Sequence, residues 1–226
     1  MSKKKWTASD LYKTLLDIDW KIEKGRIEFK MADIRSTVKT TDIIGFVLQN
    51  WIKDFLNKNN VYYREPHNTQ SFPDFYLCEK DNKNLLEIKS FIYDNGPAFD
   101  IANFESYCDS ISNESFRLDA DYLIFGYGID ENGLIEIKEI RLKKIWEIAG
   151  TSQRFPLKTQ VKRDVIYNIR PNTDFKNNKK GPFSNENQFI EALYLTLLDY
   201  RGEEHATQWL IRSEQKIRDI LSKFLD

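Results

Sequence analysis

The sequence is poor in the things that build membrane proteins, secreted scaffolds and multi-histidine metal centres. Apolar runs free of charge or amide are short, such as Ile43 to Leu48 and Tyr122 to Tyr127 (to Ile129 at most), each with a glycine inside, where a spanning helix needs roughly 20 residues. Met1-Ser2-Lys3-Lys4-Lys5 is basic, but Thr7-Ala8-Ser9-Asp10 stands where a signal peptide places its apolar stretch. Two cysteines, Cys78 and Cys108, are too few for a disulfide framework or a cysteine-rich zinc site, and two histidines, His67 and His205, leave little for multi-histidine chemistry. A soluble, reduced, cytoplasmic protein without a membrane partner is expected.

Excess charge is also lacking, since 34 Lys and Arg nearly cancel 35 Asp and Glu. The distribution is uneven. Residues 71–136 carry 14 acids against 4 bases, a net of −10, and residues 138–180 carry 12 bases against 4 acids, a net of +8. An acidic stretch beside a basic one suits a protein that holds cations at one place and polyanions at another, and equally suits ordinary surface patchiness.

What is present reads as α/β. Leu11, Leu15, Ile18 and Ile22 space a helix from Leu11 to Ile22, and Ile27 to Ile34 alternates loosely as an extended piece. Thr41 or Asp42 is placed to cap a strong helix with Ile43, Val47, Trp51 and Phe55 in one row and Ile44, Leu48, Ile52 and Leu56 beside it. Phe72 to Cys78 and Leu85 to Ile92 read as strands around an Asp/Asn-rich turn. A helix is expected from Phe99 to Ile111, strands from Asp121 to Tyr127 and Leu134 to Ile140, and a short helix from Leu142 to Ile148. Two helices close the chain, about 185–199 and 203–224; amphipathic helices of this kind serve as a dimer seam or as cover for a sheet. Trp51, Trp146 and Trp209 read as packing residues.

The informative stretch is Phe72-Pro73-Asp74-Phe75-Tyr76-Leu77 followed by Leu85-Leu86-Glu87-Ile88-Lys89-Ser90. Glu87 and Lys89 lie two apart on a strand and so share a face, and a hairpin brings Asp74 opposite them. Two close carboxylates repel unless a cation lies between them. Mg2+ prefers oxygen ligands and keeps waters that a phosphate can replace. Lys89 supplies a compact positive charge able to orient an attacking water or offset charge on the phosphate. Together these are parts for metal-assisted phosphodiester hydrolysis. The bland reading is a surface hairpin with an ordinary same-face Glu–Lys pair, worth under about 1 kcal/mol.

Pro73-Asp74 … Glu87-Ile88-Lys89 resembles the PD-(D/E)XK nuclease signature. The longer run resembles the NgoBV/NlaIV-type restriction endonucleases, through Ile43-Ile44-Gly45, Leu48-Gln49, Asn68-Thr69-Gln70-Ser71-Phe72-Pro73-Asp74, Asn103-Phe104-Glu105-Ser106-Tyr107, Leu118 to Ile124 and Tyr167-Asn168-Ile169-Arg170-Pro171. The resemblance implies a restriction-endonuclease-like α/β (α+β) core, a mixed central sheet flanked by helices of the EcoRV-like variety. It implies a Mg2+-dependent homodimer cutting double-stranded DNA, with a cognate DNA methyltransferase in the same system. Asp74 and Glu87 would be carboxylate ligands, the Ile88 carbonyl a further ligand and Lys89 the catalytic lysine. Many relatives add an acid from the preceding helix, where this chain offers Gln49, with Asp42 and Asp54 as other candidates. The target implied is a palindrome with G·C pairs on both sides of two unspecified pairs.

Lys158, Gln160, Lys162, Arg163, Asn168 and Arg170 mix long cations with amides. Arg and Lys match guanine, Gln and Asn match adenine, and all reach phosphate, so this segment suits DNA reading as well as a solvated strand face. Lys176, Lys179 and Lys180 suit phosphate. The resemblance places a further DNA contact in the loop before Asp74, at Asn68, Thr69 and Gln70. The expected organisation is one endonuclease domain over residues 1–226, with a catalytic core at 27–150, a recognition segment at 154–182 and helices at 185–226. A non-catalytic DNA-binding protein of nuclease fold and a structure-specific repair or junction nuclease are the alternatives.

Overall fold

The computed structural model describes residues 2–68, 71–177 and 181–225. Its first half runs α1 (Ala8–Leu16), β1 (Lys24–Met31), β2 (Ile34–Val38), α2 (Ile44–Lys58), β3 (Phe75–Tyr76), β4 (Leu85–Ile92), β5 (Ala102–Asn103) and α3 (Phe104–Asn113). The second half runs β6 (Asp121–Ile129), β7 (Leu134–Lys143), α4 (Ile145–Ile148), β8 (Thr159–Lys162), β9 (Val165–Ile169), α5 (Glu186–Arg201), α6 (Glu203–Arg212) and α7 (Gln215–Leu225). These elements gather into two compact units, Met1–Pro97 with Asp121–Lys143, and Ala98–Ala120 with Lys144–Asp226.

The first unit holds a six-stranded mixed sheet in the order β2-β1-β7-β6-β4-β3 among the described residues. Only the β4–β6 pair is parallel, and 28 residues between Ile92 and Asp121 make the long connection that parallel strands require. Alternation sorts each strand into two faces. Leu86 and Ile88 of β4, Leu123 and Phe125 of β6 and Ile140 of β7 join Leu11 and Leu15 of α1 and Ile52 and Leu56 of α2 in one apolar core. The opposite face carries Glu87 and Lys89.

Local chemistry sets the helix ends. Thr7 opens α1 with a capping box, its hydroxyl accepting from the Asp10 amide at 3.2 Å while Asp10 Oδ2 accepts from the Thr7 amide at 2.9 Å. The expected continuation to Ile22 does not occur. The Trp20 indole N–H takes the Leu15 carbonyl at 2.8 Å, so a turn satisfies what another helical turn would have. The cap expected at Thr41 or Asp42 is also displaced: Ile43 is the N-cap of α2, and the Thr41 carbonyl accepts the Ile44 amide at 3.2 Å. β3 is two residues long, not the seven read from Phe72 to Cys78. Trp51, read as core or partly buried packing, is 37% exposed and stacks on Phe55 at 5.2 Å.

In the second unit β5, β9 and β8 form a small antiparallel sheet with α3 and α5–α7. Ala102 and Asn103 pair with Ile169 and Asn168, so strand pairing holds the stretch that periodicity assigned to the first turns of a helix. Asn103 then caps α3, its side chain accepting from the Ser106 amide at 3.0 Å. The single closing helix expected after residue 203 is two helices. Ser213 turns extended, its hydroxyl donating to the Trp209 carbonyl at 2.7 Å, and the Glu214 carboxylate accepts the Ser115 amide at 2.9 Å. Trp209 is buried and its indole donates to the Cys108 carbonyl at 2.9 Å. Among the described residues no helix is long and apolar enough to cross a membrane.

Candidate active site

The β3–β4 register, Phe75↔Leu86 and Tyr76↔Leu85, places Asp74 beside Glu87 on the face away from the core. The backbone ties them directly. The Asp74 amide donates to Glu87 Oε2 at 3.2 Å, and the Ile88 amide donates to Asp74 Oδ2 at 2.7 Å. Pro73, in a cis peptide bond with Phe72, leads into this corner. From α2, Gln49 Nε2 donates to Asp74 Oδ1 at 2.7 Å. Lys89 Nζ lies 2.9 Å from Glu87 Oε1, with both side chains mostly covered at 19% and 12% exposure. Gln49, Asp74, Glu87, Ile88 and Lys89 are thus assembled at one place from three elements.

Electrostatics follows from that assembly. Burial, and then the charge of Glu87, pushes the Asp74 carboxyl up from 3.8 to about 7, while the Ile88 N–H and Lys89 pull the other way. A carboxylate so placed is poorly satisfied as an anion, and a cation beside it would reverse the balance. The available donors are two carboxylates and the Ile88 carbonyl, all oxygen, which fits a hard cation such as Mg2+ that retains several waters. Among the described residues no group of three His, Cys, Asp or Glu side chains is placed to hold a metal ion. Of the candidates for a fourth group, Gln49, Asp42 and Asp54, it is Gln49 that bonds to Asp74.

The register also exposes a second acid–x–base pair that sequence reasoning passed over. Lys89 pairs with Ile124 on β6, and Ile124 with Arg141 on β7, so Arg141 shares the Lys89 face two strands away, about 10 Å. Arg141 is buried and bonds to Glu139. The signal was available, because Glu139-Ile140-Arg141 repeats the pattern of Glu87-Ile88-Lys89.

The basic segment belongs to the second unit. β8 and β9 form a hairpin whose two-residue turn, Arg163-Asp164, has φ of +51° and +62°, the conformation of a type I′ turn. Gln160 and Asn168 face each other across it, Asn168 Nδ2 donating to Gln160 Oε1 at 3.1 Å. Lys162 Nζ sits 5.8 Å from the Tyr167 ring centre. Two of the expected DNA contacts have work inside the unit: Lys158 Nζ donates to the Pro171 carbonyl at 3.1 Å, and Arg170 holds Asp100 and the Ala98 carbonyl. Asn68 is exposed, whereas Thr69, Gln70, Lys179 and Lys180 lie outside the described residues.

Comparison with known proteins gives a consistent result. The sequence profile of the NgoBV restriction endonuclease family matches residues 5–225. The type II restriction enzyme NlaIV of Neisseria lactamica is 36% identical over 216 residues, covering 93% of this chain and 89% of that protein. The type II restriction enzyme NgoBV of Neisseria gonorrhoeae is 34% identical over 164 residues, covering 70% of this chain and 91% of that one. A solved structure of the NlaIV restriction endonuclease matches with a TM-score of 0.86 at 34% identity, over 100% of this chain and 92% of the other.

Proposed function

The chain belongs to the NgoBV restriction endonuclease family and is a type II restriction enzyme, a site-specific deoxyribonuclease, and from that premise we propose that it cleaves double-stranded DNA using Mg2+ held by Asp74, Glu87 and the Ile88 carbonyl. Its class sets aside the non-catalytic binder and the junction nuclease. The observation that carries the metal reading is the largely covered Asp74 carboxyl, raised to about 7 and set directly beside the Glu87 carboxylate, whose amide-bonded corner gathers two acids at one place.

When bound, Mg2+ would polarise the scissile phosphate and make a coordinated water more acidic. Gln49 orients Asp74 by holding Oδ1, and the Ile88 amide holds Oδ2, so the carboxylate cannot rotate away. Lys89, held on Glu87, orients the attacking water or offsets charge as it grows on the phosphate oxygens.

Both units act as one endonuclease domain of the EcoRV-like variety in this reading. The β8–β9 hairpin reads the duplex: Gln160 and Asn168 offer amides to base edges, Lys162 and Arg163 offer cations at its tip, and Asn68 and Gln70 add contacts ahead of the catalytic corner. Lys158 and Arg170 remain candidate contacts that also brace the hairpin. A palindromic target, with G·C pairs flanking two unspecified pairs, calls for a two-fold homodimer. A cognate methyltransferase protects the host sites.

Calorimetric titration with Mg2+ tests the metal set. The wild-type chain binds, and Asp74→Ala and Glu87→Ala each lose binding while remaining folded by circular dichroism. Unchanged affinity in both variants contradicts the assignment.

A further inference from the structure

The β1–β2 hairpin is a ribbon of two unlike faces. Register pairs Ile27 with Val38, Phe29 with Ser36 and Met31 with Ile34, so one face is apolar apart from Ser36. The other carries Lys24, Arg26, Glu28, Lys30 and Arg35. Near its base the apolar face is covered, with Ile27 packed against the core of the first unit. Toward the tip it is bare: Phe29 is 56%, Met31 64% and Ile34 73% exposed. An amphipathic ribbon whose apolar half faces water calls for a partner.

The same unit holds a receptor of matching chemistry. A groove of about 570 Å³ runs beside the ribbon base, lined by Trp20, Ile27, Val47, Trp51, Phe55 and Ile135 among others. Trp20 and Trp51 meet edge to face at 5.7 Å, and Trp51 stacks on Phe55 at 5.2 Å, leaving an aromatic wall at its mouth. Its charged lining is mixed, Glu23 and Asp54 against Lys24, Arg26 and Lys58, so apolar contact decides what seats there. The ribbon, residues 24–39, has five bases and two acids, a net of +3. Arm and groove therefore match in apolarity, and one chain carries both.

We infer that this arm and groove form the interface between two copies of the chain, the apolar tip of each ribbon seating on the aromatic groove of the other about a two-fold axis. The inference rests on the homodimer reading above and gives that dimer its surface. An isologous contact needs self-complementary patches, which a matched arm and groove on one chain supply twice over. Ile22, Phe29, Met31, Ile34 and Trp51 together leave exposed about three large side chains' worth of surface, roughly 600 Å² at about 200 Å² each. A standard interface takes roughly 800 Å² per partner, somewhat over half of it apolar. DNA is the poorer occupant, because phosphates would engage the charged face and leave Phe29, Met31 and Ile34 in water.

Sedimentation velocity of the full chain without DNA tests this. The wild type sediments as a dimer of twice 26.8 kDa. The triple variant Phe29→Thr/Met31→Thr/Ile34→Thr keeps strand-forming residues at exposed positions, keeps its circular dichroism, and raises the dimer dissociation constant at least about 100-fold. Phe46→Gln removes an exposed aromatic that does not line the groove, and leaves the mass unchanged. A triple variant that stays dimeric overturns the surface while leaving the homodimer reading intact, whether or not it loses DNA binding; loss of binding would then assign the ribbon to DNA. A monomeric wild type overturns the homodimer reading and this surface with it.

Discussion

Gln49 Nε2 donates to Asp74 Oδ1 at 2.7 Å, joining α2 to the Asp74–Glu87 corner through one amide. The position is where many related nucleases carry an acid, and here a neutral group does the orienting without adding a third negative charge. Truncating it, as Gln49→Ala, frees one oxygen of Asp74. The expected cost is about 10- to 100-fold in apparent Mg2+ affinity, recovered in part at higher Mg2+. Cleavage rate measured against Mg2+ concentration reads this, and an unchanged half-saturating concentration would refute the positioning role.

The raised Asp74 carboxyl makes a prediction about stability. Its pKa stands at about 7 in the folded chain against 3.8 ordinarily. Folding therefore favours the protonated form, and the contribution is fully present below about pH 4 and lost as pH rises through 7. Ionising Asp74 in the metal-free protein costs at most about 4 kcal/mol. Asp74→Asn should accordingly unfold at higher temperature than wild type at pH 8 in a chelator and at a similar temperature at pH 4. Added Mg2+ should raise the wild-type midpoint and leave the variant unmoved. Thermal melts at both pH values decide it, and a variant less stable than wild type at pH 8 would count against the balance described.

Much of this corner was legible in the sequence, and for a physical reason. Strand periodicity alone puts Glu87 and Lys89 on one face, and an Asp/Asn-rich turn puts Asp74 opposite them. What periodicity could not show was set by long-range partners. Trp20 ends α1 by taking the Leu15 carbonyl, and pairing with β9 holds Ala102 and Asn103 out of α3. Ser213 parts α6 from α7 although serine is no strong helix breaker. Gln49 was reachable only through family resemblance, since nothing in its own neighbourhood marks an amide that will meet a carboxylate 25 residues on. The apolar arm was half visible: Ile27 to Ile34 alternates, but the partner strand was not read, so the face it completes went unnoticed.

The proposed role of the β8–β9 hairpin in reading DNA predicts two kinds of contact. Asn168→Ala breaks the amide pair with Gln160 and is expected to relax preference at one base position, costing about 1–3 kcal/mol on the preferred site. Lys162→Ala should weaken binding evenly across sequences and flatten the salt dependence by about one phosphate contact. Binding in Ca2+ to sets of altered sites, at several salt concentrations, distinguishes them. Equal behaviour of the two variants would remove the division of labour.

Trp209 anchors the helices of the second unit, buried with its indole on the Cys108 carbonyl. Trp209→Ala opens a cavity and removes the indole's hydrogen bond to that carbonyl, for a loss of about 3–5 kcal/mol. Urea unfolding should show it. A loss below about 1 kcal/mol would mean the site collapses around the missing ring.

The central claim is that Asp74, Glu87 and Lys89 form the hydrolytic centre of a site-specific nuclease. It is tested most directly by incubating the protein with a long unmethylated DNA and Mg2+ beside Lys89→Ala. The account predicts discrete fragments from the wild type, and from the variant a rate lower by roughly 10²–10⁴-fold with DNA binding in Ca2+ retained. Fragments produced by Lys89→Ala at the wild-type rate would contradict it.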